Sequence, residues 1–299
     1  MEEDSKMIDL HNHILYGRDD GAETLEESIR MCRIGYQDGV RTIVATPHIL
    51  PGIYKNDRST ILSGVVELNN ALTASTHSRI YASNAPKDSR RPGDPITQFL
   101  NDAAWQGPQS ASGLDSAFRN PQSAIKILPG ADVHFSSDLL ERLGKGEIVT
   151  VNDQGRFLMV EFEFQGIPYK AEEALFQLIS NGIIPIISHP ERNTEIEHRP
   201  QRYYEMVRMG CLGQVTAMSL TGEFGPEVKR SAERLLTKRL LHFIASDAHS
   251  PNRRPPILSA GVKAAEKFVG KEEARKMVTE YPKAVIEGRR PDVPDPLSP

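Results

Sequence analysis

The amino-acid sequence predicts an α/β protein folded as a distorted (β/α)7 TIM-like barrel, and three observations lead to this prediction. Seven short apolar runs alternate with segments of helical periodicity, which is the pattern of a parallel sheet covered by helices. Six of the seven runs end in His, Asp or Glu. A barrel of roughly 250 residues also fits the 299-residue chain as a single domain, residues 1–299.

The first strand, Met7 to His13, ends in two histidines at i and i+2. Residues two apart on a strand point to the same side, so His11 and His13 can face one metal ion. Asp19 and Asp20 follow in a turn, and their position makes one of them a further candidate ligand. A helix then begins at Thr24 with capping-box spacing to Glu27.

The second strand, 41–46, is followed by Pro47 and His48 and then by a helix with apolar residues from Ile61 to Leu72. Residues 84–123 lose periodicity and are rich in Pro, Ser, Gly, Gln and Asn. We predict a mobile insert there, with a helix around 96–104. As a connection from helix to strand, the insert would lie at the N-terminal face of the barrel, away from the chemistry.

The third strand, 125–134, ends near Asp132, and a short helix over 138–143 leads to the fourth strand, 157–162. Glu161 lies in this apolar run, where an ionised carboxylate is costly unless it is paired or binds metal. The later strands are predicted at 183–188, 213–217 and 242–245, with helices at 169–181, 203–209, 226–239, 259–269 and 272–280. The proline-rich residues 288–299 predict a loose tail.

The carboxyl ends of the strands converge on one rim of a barrel, so side chains far apart in sequence should meet there. The candidate metal ligands are His11, His13, Asp20, His48, Asp132, Glu161, His189, Asp247 and His249. Nine nitrogen and oxygen ligands exceed the needs of one tetrahedral zinc. They predict two or three divalent ions, and the mixture is compatible with manganese, iron or zinc.

Several classes of protein are not supported by the sequence. The net charge of −4 gives no basic surface for nucleic acid, and the longest apolar runs are too short for membrane insertion. The acidic N-terminus lacks signal-peptide features, so we expect a soluble cytoplasmic protein. The Cys-x5-Arg loop of thiol phosphatases is absent, since Asp38 follows Cys32 by six residues and Ala217 follows Cys211 likewise.

Several motifs together resemble the polymerase and histidinol phosphatase (PHP) superfamily. Within it, the chain is similar to the bacterial manganese-dependent tyrosine-protein phosphatases of capsule and exopolysaccharide operons. The similar segments are residues 7–15, 19–22, 39–48, 128–130, 161–162, 188–193 and 245–249. The resemblance runs from about Met7 to the last helices, apart from the insert.

The resemblance implies three ions, most simply Mn²⁺, with one ligand group for each. His11, His13, Asp132 and Asp247 would hold the first ion; Asp132, Glu161 and His189 the second; Asp20, His48 and His249 the third. Arg192 and Arg254 would bind phosphate, and a metal-bound hydroxide would attack phosphorus. The family has Glu where this chain has Asp132, and the 84–123 insert has no counterpart in the members that the chain most resembles.

The implied substrate is a phosphotyrosine protein, such as the C-terminal tail of an autophosphorylated bacterial tyrosine kinase that controls capsule synthesis. Two alternatives stay open at this point. One is a phosphoesterase of the same superfamily acting on histidinol phosphate, a nucleotide or a sugar phosphate. The other is a catalytically weak regulator that binds phosphotyrosine, if Asp132 impairs the metal cluster. His77, His134, His198 and His242 lie outside the motifs and are interpreted as structural.

Overall fold

The computed structural model describes residues 6–74 and 125–299. In these ranges the strands are β1 (Met7–Asn12), β2 (Val40–Ala45), β3 (His48–Ile49), β4 (Lys126–Pro129), β5 (Asp132–His134), β6 (Phe157–Glu161), β7 (Ile184–Ser188), β8 (Leu212–Thr216) and β9 (Phe243–Ala245). The predicted insert, 84–123, and its helix at 96–104 lie outside the described residues.

The helices follow the strands in the predicted alternation. They are α1 (Leu25–Gln37), α2 (Arg58–Ala74), α3 (Leu139–Gly144), α4 (Ala171–Ser180), α5 (Thr194–His198), α6 (Gln201–Met209), α7 (Ala217–Thr221), α8 (Pro226–Thr237), α9 (Ser259–Val269), α10 (Lys271–Lys276) and α11 (Glu280–Ile286). The start of α1 is as predicted, since the Thr24 side chain accepts a hydrogen bond from the Glu27 amide. None of the described helices is long and apolar enough to cross a bilayer.

All strand pairs are parallel, in the orders β1-β2-β4 and β3-β5-β6-β7-β8-β9. The predicted second and third strands are each broken in two, at Thr46–Pro47 and at Gly130–Ala131, and the break divides the ring into two sheets. Proline cannot donate a ladder hydrogen bond, which accounts for the first break. The predicted seven strand–helix units and the distorted barrel are confirmed.

The end of the last strand returns to the first at the carboxyl rim. The Asp247 amide donates to the His11 carbonyl at 2.8 Å, and the His13 amide donates to the Ala248 carbonyl at 2.9 Å. The core inside and around this ring is aliphatic, with every residue of β7 and β8 buried. Hydrogen bonds therefore join the residues after β9 to the end of β1 at the rim that carries the predicted ligands.

The C-terminal residues differ from the predicted loose tail. Residues 288–299 are not loose: Pro291 is buried, and the Leu297 amide donates to the Lys238 carbonyl at 2.9 Å. The segment lies beside the starts of β8 and β9, where it borders a cavity of about 610 Å³ with Cys211 and His242. Prolines already have a restricted backbone, so an extended proline-rich segment loses little entropy when it packs.

Candidate metal centre

The carboxyl ends of the strands bring all nine predicted ligands into one cluster. The side-chain nitrogen and oxygen atoms of neighbouring ligands lie 3.0 to 4.0 Å apart. The shortest distance joins His11 Nε2 to His13 Nε2, and the longest joins His189 Nε2 to Asp132 Oδ2. The rings of His11 and His189 are 5.7 Å apart, and those of His13 and His249 are 3.9 Å apart, measured between centroids. Residues separated by more than 230 positions thus form a single site.

The pair at the end of β1 forms the buried floor of this cluster. Nε2 of His11 and Nε2 of His13 lie 3.0 Å apart, and both residues are fully buried. The turn that follows packs tightly against them, because a Cβ at Gly21 would lie 2.1 Å from the His13 carbonyl oxygen. Glycine at this position allows Asp19 and Asp20 to fold back toward the histidines.

Three of the histidines are oriented through the ring nitrogen that faces away from the cluster. His11 Nδ1 lies 2.9 Å from Gln214 Oε1, His13 Nδ1 lies 2.6 Å from Asp19 Oδ2, and His249 Nδ1 lies 2.9 Å from the Asp247 carbonyl. All three partners accept, so Nδ1 carries the proton and Nε2 keeps its lone pair for the centre. This is the usual arrangement around metal-binding histidines.

Asp132 lies at the middle of the cluster with an unusual shortage of donors. Ser188 Oγ donates to its Oδ1 at 2.5 Å, while the buried Oδ2 has no hydrogen-bond partner among the described residues. Oδ2 faces nitrogen atoms of His11 at 3.5 Å and His48 at 3.6 Å. Burial, and then the neighbouring Glu161, raise the pKa of Asp132 to about 7. A buried carboxylate oxygen among imidazole nitrogens is an expected position for a cation.

Glu161 completes the β6 side of the centre. Its Oε1 lies 3.3 Å from His189 Nε2 and its Oε2 lies 3.4 Å from His48 Nδ1. Burial alone would raise the pKa of Glu161, but His134, His189 and His48 outweigh it and hold that pKa below its ordinary value. His134, interpreted as structural from the sequence, therefore lies at the edge of the centre, with Nδ1 3.6 Å from Glu161 Oε2.

Asp247 links the histidines to the two predicted phosphate-binding arginines. Its Oδ1 lies 3.4 Å from His13 Nε2, while its Oδ2 accepts from the Nη2 atoms of both Arg192 and Arg254. Burial would raise the pKa of Asp247, but Arg192, His11 and Arg254 hold it well below its ordinary value. Asp247 has φ +50° and His189 has φ +33°, a strained backbone of the kind often found at functional sites.

The charges of the site fit bound cations. The site contains two guanidinium groups, those of Arg192 and Arg254, and five carboxylates, those of Asp19, Asp20, Asp132, Glu161 and Asp247. With neutral histidines the excess is three negative charges in a largely buried space, and such an excess is costly without counter-charge. In their absence His13 supplies part of that counter-charge: burial lowers the pKa of His13, but Asp19 and Asp247 outweigh this and raise it to about 10.

The closest groups of donors overlap with the three implied ligand sets without matching them. Within the described residues, donor atoms within 4.8 Å of one another occur in three groups: His13, Asp20, His48 and His249; His11, His13 and Asp132; and His48, Asp132 and Glu161. The first contains the whole implied third set with His13 added. In the third, His48 stands where His189 was expected. The assignment of each ligand to an ion stays a prediction.

The sequence patterns alone do not identify some other residues of the site. Gln214 sits on β8 and Glu191 follows β7, and both are buried. Glu191 Oε1 accepts from the Thr216 amide at 3.1 Å and from Ser219 Oγ at 2.6 Å. Phe224 lies under both arginines, with their Cζ atoms 4.2 Å and 5.6 Å from its ring centroid. In the sequence, Glu191 lies within the similar segment 188–193 and Gln214 on the predicted strand 213–217, and these are the signals that could identify them.

Comparison with known proteins identifies the family of this chain. The model of the capsular polysaccharide synthesis family CpsB/CapC matches residues 7–85 and 102–287. The chain belongs to this family. The match leaves residues 86–101 uncovered, which is a narrower segment than the insert predicted at 84–123. As a CpsB/CapC member, the chain carries all of its candidate ligands within the matched residues.

Relatives in the CpsB/CapC family cover most of the chain. The tyrosine-protein phosphatase YwqE of Bacillus subtilis is 31% identical over 89% of this chain and 86% of its own length. CpsB of Streptococcus agalactiae, also called a tyrosine-protein phosphatase, is 28% identical over 94% and 98%. A solved structure from work on YwqE of B. subtilis and CpsB of Streptococcus pneumoniae, called unique metal-dependent tyrosine phosphatases, superposes with a TM-score of 0.78 at 29% identity, covering 98% and 99%.

Proposed function

We propose that this protein is a metal-dependent protein-tyrosine phosphatase, a phosphoric monoester hydrolase. The observation that carries the proposal is Asp132 Oδ2, a buried carboxylate oxygen to which no group of residues 6–74 and 125–299 donates a hydrogen bond. It lies among histidine nitrogens in a cluster with excess negative charge. Family membership and the names of the relatives support the same activity.

The residues that would hold the ions are the nine clustered at the strand ends, with two or three divalent ions and Mn²⁺ as the expected metal. When bound, such ions neutralise phosphate oxygens and lower the pKa of water enough to supply hydroxide near neutral pH. His11, His13 and His249 keep Nε2 directed to the centre because Gln214, Asp19 and the Asp247 carbonyl fix their Nδ1 protons.

Arg192 and Arg254 would bind the phosphate of the substrate. Both lie at Asp247, and each also rests against the Phe224 ring. Their guanidinium groups can donate to two oxygens at once, which suits a doubly charged phosphate monoester. Thr216 Oγ1 accepts from Arg192 Nη2 at 2.9 Å and helps to fix that side chain.

A cysteine nucleophile is not part of the proposal. Cys32 and Cys211 are both free and buried. Burial raises the pKa of Cys32 strongly and that of Cys211 to about 12, so neither forms a thiolate at neutral pH. The reaction we propose therefore has no phosphocysteine step.

The physiological substrate we propose is a phosphotyrosine segment, such as the C-terminal tail of an autophosphorylated tyrosine kinase of a capsule operon. The names of the CpsB/CapC family and its relatives support this substrate class. We also propose a cytoplasmic location, since two unpaired cysteines suit a reducing compartment.

The test is a comparison of substrates with Mn²⁺ present. We expect kcat/KM for a phosphotyrosyl peptide to exceed that for histidinol phosphate and for a phosphoseryl peptide of the same sequence by at least about 100-fold. His48→Ala should abolish turnover. A preference for histidinol phosphate would contradict the proposed substrate class, and phosphotyrosine binding without hydrolysis would contradict the enzyme.

A further inference from the structure

Phe164 is a large apolar side chain that remains exposed next to the metal centre. Its side chain is 49% exposed, and its ring centroid lies 5.9 Å from that of His189, one of the candidate ligands. Two residues earlier, Phe162 is buried and packs edge-on against Phe135, at 5.7 Å and 67°. Phe162 thus serves the core, whereas half of the Phe164 side chain is left open to solvent.

The backbone around Phe164 is fastened to the segment that carries the site residues. The Thr194 amide donates to the Phe164 carbonyl at 2.7 Å, and Asn193 Nδ2 donates to the Glu163 carbonyl at 2.7 Å. Further along the same loop, the Ile167 amide donates to Glu195 Oε2 at 2.9 Å. The loop therefore has a fixed position relative to His189 and Arg192.

A fixed, exposed aromatic ring beside His189, a candidate ligand of the metal centre, suits a contact with an apolar part of the substrate. The phosphate of a phosphotyrosine is bonded directly to a phenyl ring, so a bound phosphate at Arg192 places that ring at the mouth of the site. Aromatic rings associate at centroid separations of about 4.5 to 7 Å, in offset or edge-to-face geometry. The side chain of a phosphoserine ends at Cβ and has no ring to make this contact.

We propose that Phe164 is a specificity-determining residue that contacts the aryl ring of the substrate and so favours aryl over alkyl phosphate monoesters. This inference rests on the proposed function, because it takes phosphate binding at Arg192 and the ligand cluster as given. Phe164 sits on the β6–α4 connection, at the face of the barrel where the strand ends place the chemistry.

The test is the affinity of the Mn²⁺-loaded protein for two non-hydrolysable probes, phenylphosphonate and methylphosphonate, by titration calorimetry. Phe164→Ala should weaken phenylphosphonate binding about tenfold and leave methylphosphonate binding unchanged. Phe164→Tyr should bind both probes like the wild type. Phe176→Ala is the matched control, because Phe176 is similarly exposed but lies on α4.

Equal losses for both probes, or no loss for either, would overturn the role of Phe164. The wild type separates this result from a failure of the proposed function. If it binds both probes with the same affinity, aryl selection fails while the phosphate site stands. If it binds neither, the phosphate site itself is wrong, and the inference falls with it. The Phe164→Ala variant should also lower kcat/KM for a phosphotyrosyl peptide about tenfold.

Discussion

Nε2 of His11 lies 3.0 Å from Nε2 of His13, and in each ring the opposite nitrogen faces an acceptor. In their neutral forms the two imidazoles therefore direct lone pairs at each other inside the protein. This arrangement is stable only if a positive charge, a proton or a metal ion, lies next to both nitrogens. The positive charge is required because Gln214 and Asp19 hold the proton of each neutral ring on Nδ1.

Asp19→Asn should weaken Mn²⁺ binding about 10- to 100-fold, the usual cost of losing a partner of a metal-binding histidine. The Asn side chain can donate from its NH₂ group to His13 Nδ1 as well as accept from it, so the proton is no longer held on Nδ1. Calorimetric titration with Mn²⁺ measures the change, and the exposed Asp292, changed to Asn, is the control. Unchanged affinity in Asp19→Asn would show that the His13 tautomer does not matter.

Asp132→Asn should reverse the stability order with and without metal. In chelator the variant should melt several degrees above the wild type, because it removes a buried carboxylate whose Oδ2 has no donor in the part of the chain that the structure describes. In excess Mn²⁺ it should melt below the wild type, because metal binding no longer stabilises it as strongly. Melting curves of both proteins under both conditions decide the matter. A variant less stable than the wild type in chelator would contradict the role given to Asp132.

Phe224→Leu should raise KM for a phosphotyrosyl peptide about five- to tenfold while leaving kcat within about twofold. Phe224 lies under the guanidinium groups of Arg192 and Arg254 and fixes their positions for the phosphate. Phe224→Tyr should restore the wild-type KM, and Phe268→Leu on α9 is the control. A loss confined to kcat, or failure of the tyrosine variant, would exclude a positioning role through the arginines.

His242 should make the folded state sensitive to acid. Its Nδ1 accepts from the Gly213 amide at 2.9 Å, and burial, followed by Arg290, lowers the pKa of His242 to about 3. The unfolded chain binds a proton below about pH 6.5 and the folded protein does not. The contribution of neutral His242 to the free energy of unfolding is therefore complete above about pH 6.5. It is lost as the pH falls toward 3, by up to about 1.4 kcal/mol per pH unit.

The variant His242→Asn keeps an acceptor near the Nδ1 position and does not titrate. Its deficit in unfolding free energy relative to the wild type should shrink by up to about 1.4 kcal/mol per unit between pH 6 and pH 4. Denaturant titrations at three pH values measure this deficit. The other histidines titrate in both proteins, so they cancel in the difference. A deficit that is constant with pH would contradict the neutral form of His242.

The candidate ligands could be predicted from sequence because two simple rules locate them. Side chains alternate along a strand, and the carboxyl ends of parallel strands share one rim. These rules placed His11, His13 and Glu161 without knowledge of their neighbours. They do not identify Gln214, which looks like an ordinary polar residue of a weak strand until its contact with His11 is known.

Other features depend on tertiary contacts that leave no local pattern. The need for glycine at position 130, where the third strand divides, follows from packing, because a Cβ there would lie 2.6 Å from a methyl group of Val44. The docking of the tail on the starts of β8 and β9 depends on surfaces formed only after folding. Composition alone predicts a loose tail, because a segment rich in prolines and polar residues has the same composition whether it is loose or packed against the protein.

The most direct test is to count metal ions and measure turnover in the same preparation. The purified protein is stripped with chelator and titrated with Mn²⁺. Bound metal is determined by elemental analysis, and hydrolysis of p-nitrophenyl phosphate is followed before and after iodoacetamide. We expect two or three ions per chain, turnover that appears only as they bind, and no loss on alkylation. Turnover that persists in the metal-free protein, or that alkylation destroys, would contradict a metal-dependent phosphatase.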